Sequence, residues 1–193
     1  MTKLLLATQN PGKIREIRSI LSELPITVAV ATEELDVEET GSTFEANAIL
    51  KAKAYQSHYP NDGILADDSG LVVDALNGGP GVFSHRYGDS DQKRNQKLLA
   101  ELLHVPIPKR TARFVTVMVL LTPKEILSFE GRLEGSIALI AKGSDGFGYD
   151  PVFIPEGFQL TLAELGTEKK NTISHRMKAL SKLKHYLLEN LEL

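Results

Sequence analysis

The chain has 193 residues, with 22 Lys plus Arg against 25 Asp plus Glu and no cysteine. The formal charge of −3 argues against a broad grip on nucleic acid backbone, and the lack of thiols excludes disulfides, Cys-ligated metals and thiolate nucleophiles. With 42% hydrophobic and 24% charged residues the sequence reads as one soluble domain over 1–193, two-lobed around a cleft and cytoplasmic by default. The longest apolar run, around 114–121, is far short of the about 20 residues that span a bilayer, so no membrane partner is expected.

In chain order, a short buried strand is predicted at 3–7, a turn at 8–12 and a helix at 13–24 with Ile14, Ile17, Leu21 and Leu24 on one face. A second strand follows at 27–31. Ser42 with Glu45 three residues on reads as a capping box opening a helix through residue 57. Strands at 64–66 and 71–73 flank a turn, Asp67-Asp68-Ser69-Gly70, and a helix is predicted at 92–103. Segments 113–121, 126–133 and 136–141 are β-rich, which adds antiparallel strands to the earlier α/β units and makes a mixed sheet. A glycine-rich loop at 143–151 precedes a final helix capped by Ser174, with Met177, Leu180, Leu183, Leu187 and Leu191 inward.

Thr8-Gln9-Asn10-Pro11-Gly12-Lys13 joins strand to helix, so backbone N–H groups, the helix dipole and a lysine converge as a phosphate would require. It is not a Walker A loop, because Ala7 and Ile14 stand where glycine and Ser/Thr are needed. A solvated Asn-Pro-Gly turn is the plain alternative. Glu38, Glu39, Asp67 and Asp68 are hard oxygen donors that suit Mg²⁺ once a nucleotide brings its phosphates, against the alternative of a solvated acidic turn. Asp68-Ser69-Gly70 also matches the aspartic-protease signature, but that chemistry needs two copies and the chain has one. Asn47 and Lys51 share a helix face, and His175 and Arg176 fall in a first helical turn, where positive charge calls for an anion.

Taken together, residues 7–13, 38–48, 66–71, 146–151 and 173–176 resemble the successive motifs of the ITP/XTP pyrophosphatase family, in order along almost the whole chain. The resemblance implies an elongated α/β fold whose mixed sheet floors a cleft between two lobes, flanked by helices, and a homodimer. It implies Mg²⁺-dependent hydrolysis of ITP, dITP and XTP to the monophosphate and pyrophosphate, which cleanses the nucleotide pool. By motif, Thr8, Gln9, Asn10, Pro11, Gly12 and Lys13 would hold the triphosphate with Asn47 and Lys51 as helpers. Asp68 would accept the proton of the attacking water and bind the metal with Glu38 or Glu39, Glu38 being favoured and the choice left open. Ser69, Phe147, Gly148, Tyr149, Asp150, Lys170, His175 and Arg176 would bind the rest of the substrate. Gln9 and His85 depart from the family pattern and are expected to affect phosphate geometry or rate.

Overall fold

The structure is a computed structural model and describes residues 3–190. Strands β1 (Lys3–Leu6), β2 (Thr27–Val30), β3 (Gly63–Val73), β4 (Thr111–Leu121), β5 (Ile126–Ile137) and β6 (Phe153–Pro155) form one sheet in the order β2-β1-β3-β4-β5-β6. β1 runs parallel to β2 and β3 while β5 and β6 are antiparallel, so the sheet is mixed as expected. Helices are α1 (Pro11–Leu21), α2 (Phe44–His58), α3 (Asp91–Glu101), α4 (Leu162–Ile173) and α5 (His175–Asn190). Leu191, expected to point inward, lies outside the described residues. Among the described residues no helix is long and apolar enough to cross a membrane.

Two compact units emerge: one of the residues up to Asp68, Thr116–Gly131 and those from Arg176 on, the other of Ser69–Val115 and Arg132–His175. In the first, α1 links β1 to β2 and α2 links β2 to β3 in the reverse direction, so right-handed crossovers put the two helices on opposite faces. Strand alternation then assigns the core. Leu4, Leu6, Leu65, Met118 and Leu120 pack with Ile17 and Leu21 of α1 and Leu180, Leu183 and Leu187 of α5, all at most 2% exposed. In the second unit Leu71, Val73, Leu98, Leu102, Phe114, Tyr149, Phe153 and Leu162 form a separate core.

Three expectations are corrected. The turn at 67–70 does not exist: β3 continues through Asp67-Asp68-Ser69-Gly70, because both carboxylates are paired within the fold and need no solvent. The break at Gly135 is also absent, since β5 is continuous to Ile137 and the glycine marks close approach of β6; a Cβ there would lie 2.6 Å from Phe153 Cζ. α2 is capped by Thr43, whose hydroxyl accepts from Ala46 N at 3.1 Å, and not by Ser42. β6 and α4 were not anticipated, although Thr161 and Glu164 form a capping box at the start of α4.

Candidate active site

In the first unit, Thr8–Asn10 turn β1 into α1. Asn10 Oδ1 accepts from Gly12 N at 2.9 Å and Lys13 N at 3.2 Å, while Pro11 occupies the first turn, where a missing N–H costs nothing. Thr8 Oγ1 accepts from Asn10 N at 3.2 Å. Gln9 donates to Ala31 O at 2.7 Å, which ties the loop to the chain leaving β2. Thr8, Asn10 and Lys13 line a cavity of about 190 Å³ with Lys51, Tyr55 and Asp67. A larger cavity, about 510 Å³, lies at Lys3, Asp62, Glu125 and Tyr186, but those polar groups pair with one another.

Neighbouring aspartates on a strand face opposite ways, and this explains their partners. Asp67 shares the face of Leu65 and meets α1, its carboxylate 2.7 Å from Lys13 Nζ. Burial opposes its charge, but Lys13, Arg176 and Lys51 outweigh that and hold the carboxyl well below its usual range. Asp68 faces α2: it accepts from Asn47 Nδ2 at 3.0 Å and lies 3.7 Å from Lys51 Nζ, which also reaches Glu39 at 2.8 Å. Burial disfavours charge on Lys51, yet Asp67, Asp68 and Glu39 together raise its pKa. Asn47 is 0% exposed, and its Oδ1 accepts from Gly41 N at 2.8 Å, so one amide joins the acidic loop to Asp68. Of the acidic pair, Glu38 is exposed and Glu39 half-buried against Lys51. Among the described residues no group of three His, Asp or Glu is placed to hold a metal unaided.

Arg176, in the first turn of α5, meets Glu16 of α1 at 2.9 Å, so a carboxylate answers the charge that the helix dipole disfavours. Glu16 was not foreseen; its signal is its position three residues after Lys13 on the same helix.

In the second unit, Phe147 is 51% exposed and Lys170 Nζ sits 4.1 Å from its ring centroid. Lys170 pairs with Asp150 at 2.5 Å, and the same carboxylate oxygen accepts from Phe147 N at 2.9 Å. Tyr149, by contrast, is buried in the core with its hydroxyl donating to Ser84 O at 2.8 Å. Gly148 is half-buried beside it, and Ser69 lies half-buried on β3. His175 stacks on Phe114 with ring centroids 4.9 Å apart. The side chain of His85 is exposed, and its carbonyl accepts from Arg94 at 2.9 Å, so the departure at this position falls on a residue whose backbone makes the structural contact.

The sequence and the fold are matched by known proteins. The model of the Ham1 family matches residues 4–186. The chain belongs to the Ham1 family. This Ham1 chain is 47% identical over its whole length to a dITP/XTP pyrophosphatase of Listeria monocytogenes, covering 98% of that protein. It is 47% identical to one of Aquifex aeolicus, with 96% of each covered. A solved HAM1 protein from Coxiella burnetii superposes with a TM-score of 0.92 at 42% identity, covering 98% of this chain and 100% of that one. The Ham1 protein of Staphylococcus aureus gives 0.90 at 40% identity over 97% and 99%.

Proposed function

We propose that this Ham1-family chain is a nucleoside triphosphate pyrophosphatase that converts dITP, ITP and XTP to the monophosphate and pyrophosphate. The observation that carries the reading is that Lys13 of α1 and Lys51 of α2 line one cavity with Thr8, Asn10 and Asp67, with the buried Asp68 beside Lys51.

The positive end of the α1 dipole suits the triphosphate, and the lysines neutralise its oxygens in exchange for the carboxylates they now meet. Water attacks the α-phosphorus: a new P–O bond forms, the bond to pyrophosphate breaks, and the water proton passes to Asp68. Lys13 and Lys51 stabilise charge on the leaving pyrophosphate. Asn47 and Gly41 keep Asp68 aimed, so Asn47 acts by positioning.

The donor set fits Mg²⁺: Glu39 and Asp68 are hard carboxylates sharing one lysine, and this ion needs only one or two carboxylates beside substrate oxygens. Glu39 is favoured over Glu38 because it is the one that turns inward. When bound, the ion supplies charge neutralisation on the phosphates.

Lys170 and His175 present donors to a 6-oxo purine, and Asp150 holds the lysine in place. Adenine, with a 6-amino donor, leaves such groups unpaired and is rejected. Phe147 offers its exposed ring for stacking. We take the working form to be a cytoplasmic homodimer, which light scattering on the purified protein tests. The decisive assay measures pyrophosphate against orthophosphate from dITP, ITP, XTP, GTP and ATP, with Mg²⁺ and with EDTA. Metal-dependent pyrophosphate from the first three is expected; orthophosphate, or equal turnover of ATP, refutes the reading.

A further inference from the structure

We infer that the first turn of α3 is a clamp fixing the pose of the loop Gly146–Asp150, which makes Asp91 and Asn95 positioning residues for substrate selection. The inference rests on the proposed reading of that loop as part of the base pocket. Gly143, Gly146 and Gly148 all have positive φ, at 80°, 83° and 64°, so the segment has wide intrinsic freedom and must be held by side chains. Asp91 Oδ2 accepts from Gly148 N at 2.7 Å, and Asn95 Nδ2 donates to Gly148 O at 3.0 Å. Residues four apart on a helix share a face, so one turn of α3 grips both polar groups of a single residue. The grip is itself braced. Arg94 pairs with Asp91 and donates to His85 O at 2.9 Å and Gly88 O at 3.0 Å. Asp150 anchors the other end through Phe147 N and Lys170. The exposed Phe147 ring is thereby carried between two fixed points.

Asn95 adds a second sign. It is 6% exposed, yet its Oδ1 is buried without a hydrogen-bond partner. An unpaired buried acceptor lowers stability, so core packing explains this residue poorly, while its hold on Gly148 explains it directly.

The test uses the full-length protein with Mg²⁺, measuring kcat and KM for dITP and deuterium exchange at the Gly148 amide. Asn95→Ala and Asp91→Ala are expected to raise KM about tenfold with kcat changed less than about threefold, and to speed exchange at Gly148. Asp91→Asn keeps an acceptor for Gly148 and restores KM to near wild type. The double alanine variant is expected to be little worse than either single one, because both hold the same residue. Where an alanine variant does not fold, Asn95→Asp sets an acceptor against Gly148 O and raises KM in its place. Wild-type KM in both alanine variants, in an enzyme that turns dITP over, overturns the inference alone. No pyrophosphate from dITP in the wild type overturns the functional reading and this inference with it.

Discussion

Replacing Asn47 with alanine isolates the link between the acidic loop and Asp68. The wild-type amide is 0% exposed and makes two bonds, accepting from Gly41 N at 2.8 Å and donating to Asp68 Oδ2 at 3.0 Å. Losing the charge-assisted bond costs about 1.5–3 kcal/mol, and leaving the Gly41 N–H without its acceptor about 1–3 more. Relaxation and water entry recover part of this, so a net loss of about 3 kcal/mol is expected, or roughly 6–12 °C in Tm for a chain of this size. Lys51 still flanks Asp68, so the catalytic cost is limited to the misaimed carboxylate. At about 1.4 kcal/mol per decade, that is roughly ten- to a hundredfold in kcat, with KM little changed. The assay is pyrophosphate release at saturating dITP, run well below the variant's Tm, beside a thermal melt. A kcat within twofold of wild type would show that Asp68 is not aimed by Asn47, whatever the melt does.

Other substitutions probe the remaining roles. Asp68→Asn removes the proposed proton acceptor and should lower kcat by at least about 10²-fold while nucleotide binding, followed by calorimetry, persists. Lys13→Ala should raise KM for the triphosphate, and unchanged kinetics would remove Lys13 from the site. Phe147→Ala should raise KM for dITP with kcat preserved, as expected for loss of a stacking surface. Asp67→Asn tests the buried pair with Lys13 through pH. Because folding depresses the Asp67 pKa, its contribution is complete above the unfolded value near ~3.9 and is lost as pH falls towards the lower folded value. At neutral pH the variant should be less stable by about 3 kcal/mol. The Tm gap between wild type and variant should close below about pH 4, and a gap constant from pH 7 to pH 2 contradicts the assignment.

The α/β core was legible because the apolar pattern carries it: Leu4 and Leu6 fall in a continuous apolar run that reads as a buried strand, and Ile17 and Leu21 on α1 fall where helical spacing puts them. Composition misled at Asp67–Gly70, four residues poor in β propensity that run on as strand because Lys13 and Asn47 supply the pairing water would otherwise give. Gly135 misled likewise, since a glycine admitting a neighbouring strand resembles one that breaks a strand. The loop proposed to hold phosphate was visible as strand, turn and lysine. Lys170 was reached through family resemblance alone, because its partner Asp150 lies 20 residues away and only the fold joins them. Asp91 and Asn95 carried a faint signal, a capped start with two polar residues at i and i+4, easily read as solvated helix surface.

The continuous strand through the two aspartates has a consequence for insertion and deletion. Asp67 reaches α1 and Asp68 reaches α2 because Leu65 and Ile64 fix which face each residue takes. Removing one residue between Leu65 and Asp67 would reverse that assignment, sending Asp68 to the lysine of α1 and leaving Asn47 and Lys51 without it. Side-chain replacements can therefore be tolerated in degrees, whereas a single-codon deletion exchanges the two carboxylates in one step. The proposed proton acceptor is thus specified by counting along the strand as much as by chemistry, and a folded sheet in the correct register already has that carboxylate facing α2.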